Sequence, residues 1–348
     1  MQKRILVGVL DWGLGHASRM VPVIDELAAH KAEVILASSG TALVYLRNRY
    51  PHLRALEVPA PQIRYSRQGA GPALVRQALS QKRWNERQCL WMAAQQRAQA
   101  FDAVISDNLY GLHHPDIPSA LVSHQMQVPA PAFGKMINRE LARWLSPFDE
   151  LWAPDSPDGL AGRLTQNPFC DKPVHYLGTL SRLHAVDHIA SQYTCAALIS
   201  GPEPQRSIFE KHCLAYLARL EGPTALIQGL AGQADSPPHT EGRTLVFPFL
   251  DDEALGHTLQ SAGYVLCRSG YSTLCDLTQL SCKATLAPTP GQPEQVFLAK
   301  RAAEKGWFLS ARPNGISSVN PADLEATSPP PPATAQPLTT TVGRFLKA

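Results

Sequence analysis

The segment DWGLGHASR, residues 11–19, places two glycines and a histidine between an apolar run, RILVGVL, and a run with helical spacing. Glycines at a turn from a strand into a helix let backbone approach a ligand closely, and the first N–H groups of the helix attract anions. His16 would stand at the carboxyl edge of a sheet, where an imidazole can remove a proton near neutral pH. A turn histidine bonded to backbone explains this loop equally well. Asp11 could orient His16 or only cap the turn.

Three loops in the second half of the chain carry similar residues. SGPEPQR, residues 200–206, contains a glycine for close approach and an arginine that could hold phosphate. RSGYST begins at residue 268 and PTPGQPEQ spans 288–295, and both follow apolar runs. Loops at the carboxyl ends of parallel strands meet at one edge of the sheet, so we expect these segments to lie together, where they could bind a phosphate group.

Both sets of loops require strands and helices that alternate along the chain. The first half predicts a helix at 20–30 and strands at 4–10, 33–37, 53–58, 102–106, 119–123 and 150–153. The second half predicts a helix at 207–220 and strands in CAALIS, TALIQG, TLVFPF, YVLCRS and ATLAP. Short apolar strands alternating with helices are typical of parallel sheets covered on both faces. The predicted fold class is therefore α/β, with two Rossmann-like domains.

Domain boundaries follow from the same pattern. We expect an N-terminal domain over 1–182 and a second domain over 195–320, with a patternless linker between them. From 321 to 348 the chain is Pro-rich, which predicts an extended or mobile tail ending in one short helix.

Composition excludes several classes of protein. The 348 residues are 44% hydrophobic and 18% charged, which indicates packed cores and no extensive disorder. A net charge of +3 is too small to predict nucleic-acid binding. The apolar runs are too short to span a membrane, and the N-terminus reads as a strand rather than a signal peptide. Seven scattered cysteines predict free thiols in a reducing cytoplasm.

A dinucleotide fold and a metal site are both disfavoured. Ser18 stands where a dinucleotide fingerprint has its third glycine, and ILASSG ends without the acidic residue that binds ribose. The acidic run 251–253 predicts a helix N-cap and first turn rather than metal ligands. We expect neither a metal nor a bound cofactor.

The segment FLDDEALGHTLQSAGYVLCRSG resembles the donor-domain signature of glycosyltransferase family 28, which includes the bacterial transferase that adds N-acetylglucosamine to lipid-linked muramyl pentapeptide. GLGHASR is similar to that family's first glycine loop, GTLSR to its interdomain arginine motif, and PTPGQPEQ to its sugar-contacting loop. The order and spacing hold over roughly residues 1–310. The resemblance implies the GT-B architecture, in which two Rossmann-like domains face each other across a cleft.

The resemblance also implies a role for each matching residue. His16 would face the reacting centre as the base in an inverting, metal-independent transfer from a nucleotide sugar, with UDP-sugar as the co-substrate. Leu250 would meet uracil through its backbone, Asp276 would bind the ribose hydroxyls, and Glu294 and Gln295 would read the sugar. The residues around the diphosphate would be Arg182, Ser200, Gly201, Arg206, Arg268, Ser269 and Gly270. The acceptor side would comprise Gly13, Gly15, Asp107, His124 and Gln125.

Two positions depart from the family pattern. The second glycine loop is GPEP here, where the family has glycine and serine, and Gln125 replaces a glutamate. A nucleotide-sugar hydrolase or epimerase therefore stays open as an alternative, as does a non-catalytic nucleotide-sugar-binding protein. The acceptor would be a hydroxyl compound, lipid-linked in the family. The basic amphipathic segment 133–145 could rest on the inner face of a membrane, or could be an ordinary core-facing helix.

Overall fold

The structure is a computed structural model, and it describes residues 2–59, 70–129, 134–312, 315–331, 334 and 336–347. The chain forms two compact units. Unit 1 comprises Met1–Leu180 and Thr334–Ala348, and unit 2 comprises Ser181–Ala333.

Unit 1 contains a parallel sheet of seven strands. Its elements up to residue 180 are β1 Arg4–Val9, α1 Leu14–Ala29, β2 Glu33–Ser38, α2 Gly40–Arg49, β3 Arg54–Glu57, α3 Ala70–Gln99, β4 Ala103–Asp107, β5 Ser119–Val122, α4 Gly134–Leu145, β6 Glu150–Ala153 and β7 Val174–Tyr176. The strand order is β3-β2-β1-β4-β5-β6-β7. The direction of winding reverses between β1 and β4, which is the position where open α/β sheets bind ligands.

Unit 2 has a second seven-stranded sheet, in the order β10-β11-β9-β8-β12-β13-β14. Its elements are β8 Cys195–Leu198, α5 Gln205–Leu217, β9 Thr224–Ile227, β10 His239–Glu241, β11 Thr244–Phe247, α6 Asp252–Gln260, β12 Val265–Cys267, α7 Tyr271–Gln279, β13 Ala284–Leu286, α8 Pro293–Glu304 and β14 Leu309–Ser310. β10 pairs antiparallel with β11, and the other strand pairs are parallel. Winding reverses between β8 and β12, so two of the predicted ligand loops flank the reversal.

The predicted α/β fold class and its principal strands are confirmed, with strand ends that move by one or two residues. Three strands lack a clear sequence signal: β7, β10 and β14. β10 consists of exposed polar residues, and β14 has two residues at a sheet edge, so neither has the apolar run of a central strand. All seven cysteines are free thiols.

Helix α4 covers most of the segment for which membrane contact was considered; Phe133 lies outside the described residues. Leu141 and Leu145 are buried in unit 1, whereas Lys135, Arg139 and Arg143 are exposed. This is the arrangement of a core-facing helix with a solvated basic side. Within the described residues, no helix has both the length and the apolar character needed to cross a bilayer.

The segment after residue 320 contributes to both units, whereas the sequence predicts an extended or mobile tail that ends in one short helix. Leu324 is buried in the core of unit 2, within a short turn of 3-10 helix, Pro321–Ala326. Helix α9, Gln336–Phe345, packs against α1 and β7 of unit 1. Its Leu338, Val342 and Phe345 join the main core cluster of that unit. Proline content predicts the extended stretch, but composition cannot show where the apolar face of the following helix docks.

Replacing Phe345 with alanine should destabilise unit 1. The Phe345 ring lies edge-on to Trp152, with ring centroids 5.1 Å apart and planes at 79°, and only 2% of Phe345 is exposed. We expect Phe345→Ala to lower the free energy of unfolding by about 3–5 kcal/mol, measured by urea denaturation. Thr340→Ala, at an exposed position of the same helix, is the matched control. Equal stability of the two variants would contradict the docking of α9.

Candidate active site

The first glycine loop of unit 1 opens directly into α1. Gly13 is the N-cap, with a φ of 70°, and a Cβ atom there would meet nothing within 4 Å. The positive φ explains the glycine, and the open space leaves room for a ligand beside the first turn. Gly15 and His16 lie in that turn, so the loop places His16 at the carboxyl edge of β1.

His16 is paired with a buried carboxylate. Its Nδ1 lies 2.7 Å from Oδ2 of Asp107, the last residue of β4, and Asp107 is fully buried. The same Nδ1 lies 2.7 Å from Nη2 of Arg19, which can only donate a hydrogen bond, whereas the carboxylate can only accept one. In the tautomer that donates from Nδ1 to Asp107, the lone pair of His16 is on Nε2. Such an imidazole can accept a proton from a hydroxyl group.

Asp107 is ionised because a second residue, Arg19, balances its negative charge with a positive one. Burial alone would raise the pKa of Asp107, but the Arg19 guanidinium and His16 outweigh burial and lower that pKa overall. Arg19 Nε donates to Oδ1 of Asp107 at 3.0 Å, and Arg19 Nη2 donates to the same oxygen. The Arg19 Nη1 atom lies 2.6 Å from Nδ1 of His124. His16, Asp107, Arg19 and His124 thus form one hydrogen-bonded chain.

Asp11 does not take the orienting position. Its Oδ1 accepts from the Ala42 N–H at 3.1 Å, which satisfies a donor in the first turn of α2. A Cβ on Gly40 would come within 2.0 Å of the same carboxylate, so Gly40 makes room for it. Of the two interpretations of Asp11, the capping one fits the structure, and Asp107 holds His16 instead.

Three further residues complete this edge of unit 1. Trp12 lies parallel to the His16 ring at a centroid distance of 6.4 Å and is 42% exposed. Gln125 is half-buried, and its backbone N–H donates to Ser123 Oγ at 3.1 Å. Asp155, which sequence reasoning missed, is buried beyond β6. Burial raises its pKa, although three backbone N–H donors and the nearby His124 oppose that rise.

Arg206 of unit 2 is held by protein groups at the start of α5. Its Nη2 donates to the Gln228 carbonyl at 2.7 Å, and its Nη1 lies 3.3 Å from Glu210 and 3.6 Å from Glu203. The preceding Gly201 has a φ of 103°, which favours glycine. Arg206, which the resemblance places beside the diphosphate, is therefore already paired with two carboxylates and a carbonyl group of the protein.

Arg268 lies inside unit 2 rather than on a ligand-facing surface. It is 2% exposed, and its guanidinium carbon is 4.0 Å from the centroid of the Phe209 ring. Its Nη1 donates to the carbonyls of Ala287 and Pro288, and its Nη2 donates to that of Gln205. Burial lowers the pKa of Arg268 to about 10. Arg268 therefore connects the loops after β12 and β13 to the start of α5. It would support the predicted pocket without facing the ligand.

The serine-glycine turn after Arg268 contacts the predicted sugar loop. Ser269 Oγ donates to the Gln295 carbonyl at 2.8 Å, and the Gln295 side-chain oxygen accepts from Thr289 N–H at 2.8 Å. Gly270 is the N-cap of α7. The Thr289 hydroxyl is buried without a hydrogen-bond partner, and a Cβ on Gly201 would lie 3.9 Å from it. The loops after β8, β12 and β13 therefore do converge.

Asp276 and Arg182 belong to a second cluster of unit 2. Asp276 accepts a hydrogen bond from Ser181 Oγ at 2.6 Å, while Arg182 Nε lies 3.0 Å from the Asp252 carboxylate. Burial raises the pKa of Asp276 to about 6, although Arg182 and Ser181 favour its charged form. Asp251 caps α6 by accepting from the Ala254 N–H, as the acidic run predicts. Ser200, Leu250 and Glu294 are half-buried, in the loops after β8 and β11 and in the first turn of α8 respectively.

Comparisons with known proteins give matches in structure but not in sequence. No protein-family model matches the chain, and no curated protein matches it. The glycosyltransferase of kitacinnamycin is 15% identical with a TM-score of 0.64, and the match covers 100% of this chain and 95% of that one. The glycosyltransferase SnogD from Streptomyces nogalater is 16% identical with a TM-score of 0.63 and the same coverage. The glycosyltransferase VinC, solved with dTDP, is 15% identical with a TM-score of 0.59, covering 99% of this chain and 98% of VinC.

These matches run through both units and both sheets. The fold is GT-B. Within this GT-B chain, the described residues contain no group of three or more histidine, cysteine or acidic side chains arranged to hold a metal ion. The sequence signals that identify the His16 network are positional: Arg19 follows His16 by one helical turn, and Asp107 ends a strand adjacent to β1.

The pKa of Asp276 predicts how the stability of this GT-B chain depends on pH. A carboxyl group whose pKa is raised from near 4 to about 6 binds more protons in the folded protein than in the unfolded chain between those values. Its contribution to the free energy of unfolding is present below about pH 4 and is lost as pH rises through 6.

We therefore expect Asp276→Asn to be more stable than the wild type at pH 7.5, by about 1–3 kcal/mol, and to match it near pH 4. Urea denaturation at several pH values measures the difference. Asp235→Asn, an exposed position in the same unit, should change stability little at any pH. A constant difference across the pH range would show that Asp276 does not titrate as described.

Proposed function

We propose that this chain is a glycosyltransferase that moves a sugar from a nucleoside diphosphate sugar to an acceptor hydroxyl group, with inversion at the anomeric carbon. The observation that carries the proposal is His16, oriented by the ionised Asp107 at the point where the winding of the unit 1 sheet reverses. The GT-B matches support it, because the proteins matched are named as glycosyltransferases.

The acceptor oxygen attacks the anomeric carbon and gives its proton to Nε2 of His16. The bond from that carbon to the diphosphate oxygen breaks at the same time, and its electron pair stays on the leaving diphosphate. Asp107 stabilises the imidazolium that forms, as a carboxylate paired with a catalytic histidine does. No covalent intermediate is needed, so a single displacement inverts the configuration.

The donor would bind to the convergent loops of unit 2. Backbone N–H groups at the starts of α7 and α8 would stabilise the charge that develops on the diphosphate. Gly201 and the buried Thr289 hydroxyl border the same space. Arg182 would supply the positive charge, whereas Arg206 and Arg268 would support the loops from their carbonyl and carboxylate contacts.

The base of the nucleotide would be a pyrimidine, placed against the backbone of Leu250. The resemblance to family 28 favours UDP, whereas VinC and the rhamnosyltransferase SpnG were solved with thymidine diphosphate. Asp276 bears on this choice, because a ribose offers its carboxylate two hydroxyls and a deoxyribose offers one. We propose UDP-sugar as the donor and treat dTDP-sugar as the competing result of the binding experiment.

Nucleotide binding can be tested before any acceptor is known. We expect UDP-sugars to raise the melting temperature, because a ligand at 100 times its Kd stabilises the folded state by about 2.7 kcal/mol. GDP-sugars should have a much smaller effect, and a larger shift with dTDP-sugars would transfer the proposal to that donor. Melting temperatures unchanged by all three nucleotides would contradict the donor site.

Replacing His16 should abolish transfer without weakening donor binding. With a panel of hydroxyl acceptors, His16→Ala should lower kcat by about 10²–10⁴-fold, the usual contribution of a general base. The nucleotide-induced shift should persist, and chelation of metal ions should not change the rate. His52→Ala, an exposed histidine of unit 1, is the matched control. Fast sugar release without acceptor would instead indicate a hydrolase, and binding without turnover would indicate a non-catalytic protein.

A further inference from the structure

Asn108 directly follows the carboxylate that contacts His16. It comes after the last residue of β4, at the edge of the unit 1 sheet where the winding reverses. Consecutive Cα atoms are about 3.8 Å apart, so Asn108 adjoins the pair formed by Asp107 and His16. Asn108 is half-buried, and it therefore stands at the boundary between the protein interior and the edge that binds ligands in open α/β sheets.

The backbone of Asn108 lies in the left-handed region, with a φ of 52°. This conformation is unfavourable for a residue with a side chain, although asparagine tolerates it better than most. The following turn holds it, because the Ser106 hydroxyl and the Leu112 N–H both donate to the Leu109 carbonyl, at 2.8 and 2.9 Å. Leu109 and Leu112 are buried against Gly8 of β1, where a Cβ atom would collide with Leu112. Packing of the turn therefore fixes this conformation without help from the Asn108 side chain.

The side-chain oxygen of Asn108 is buried and accepts no hydrogen bond within the part of the chain that the structure describes. Buried polar atoms in folded proteins nearly always have a partner, and an atom without one lowers stability. Unsatisfied groups and left-handed residues both concentrate at functional sites, where a ligand can supply the missing partner. Asn108 combines the two features one residue away from Asp107.

The chemistry of the amide indicates which ligand group would satisfy it. A hydroxyl group can donate to the amide oxygen and accept from the amide nitrogen, so it fits either orientation of the amide. A carboxylate or a phosphate dianion only accepts hydrogen bonds and would leave the oxygen without a donor. A hydroxyl group of the substrate is therefore the matching partner.

We propose that Asn108 binds a second hydroxyl group of the acceptor, adjacent to the hydroxyl that attacks the sugar, so that acceptors with two neighbouring hydroxyls are preferred. The two hydroxyls must be close together because Asn108 adjoins Asp107, which contacts His16. This inference rests on the proposed function for the identity of the ligand as an acceptor. Asn108 binds the substrate and exchanges no proton with it.

Replacement by glycine separates the side chain of Asn108 from its backbone. Glycine adopts a φ of 52° without strain and has no amide to satisfy, so the urea midpoint of Asn108→Gly should equal or exceed that of the wild type. Asn108→Ala keeps the backbone strain and should have a lower midpoint than Asn108→Gly. Lys31→Gly, at an exposed position with a φ of 59°, is the matched control. A midpoint of Asn108→Gly well below that of the wild type would assign the side chain to folding and overturn the inference.

Paired acceptors that differ by one hydroxyl test the preference itself. With catechol against phenol, and trans-1,2-cyclohexanediol against cyclohexanol, the wild type should favour the diol by about 3–10-fold in kcat/KM, the usual worth of one hydrogen bond. Asn108→Gly should lose this preference, chiefly through a higher KM for the diol, whereas Lys31→Gly should keep it. A preference that persists in Asn108→Gly, or an equal loss for both members of each pair, would overturn the inference.

Nitrogen-15 NMR of labelled asparagine side chains detects the same contact without any transfer. The amide signal that disappears in Asn108→Gly belongs to Asn108, and it should shift with excess trans-1,2-cyclohexanediol but not with cyclohexanol. Such a shift in a protein that transfers no sugar would leave this inference standing and remove the proposed function. Transfer without the shift and without the preference would overturn the inference and leave the proposed function. The absence of both shift and transfer would contradict both.

Discussion

A guanidinium buried in a protein must be surrounded by acceptors, because an unmatched charge in the interior is strongly destabilising. Each unit of this chain meets that requirement at the carboxyl edge of its sheet. In unit 1, Arg19 joins α1 to β4 and to the segment after β5. In unit 2, Arg268 joins the loops after β12 and β13 to the start of α5. Both arginines fix the spacing of loops that would otherwise be independent.

Much of the fold could be predicted from the sequence, because apolar runs between glycine-rich turns mark the central strands. The carboxylate that contacts His16 could not be predicted in this way. Asp11 lies five residues from His16 and Asp107 ninety-one, yet the parallel pairing of β1 with β4 brings the distant carboxylate to the imidazole. The same applies to Arg268, whose motif suggests a diphosphate ligand while its surroundings are carbonyl groups and the Phe209 ring. Sequence spacing locates these loops, but packing decides which side of the loop an arginine faces.

The start of α5 illustrates how a local departure is accommodated. Prolines at 202 and 204 remove two backbone donors from the loop before this helix. The carboxylates of Glu203 and Glu210 then occupy the guanidinium of Arg206. Charge that could have been offered to a ligand is used within the protein.

Helix α9 makes unit 1 discontinuous along the chain, since residues 181–333 separate it from the rest of that unit. During synthesis, unit 2 can therefore finish folding while the sheet of unit 1, made earlier, still exposes the apolar surface that α9 covers. An expression fragment cut after residue 180 would keep that surface exposed and should tend to aggregate. A circular permutant that begins at α9 and continues into β1 would instead allow the first unit to be completed first.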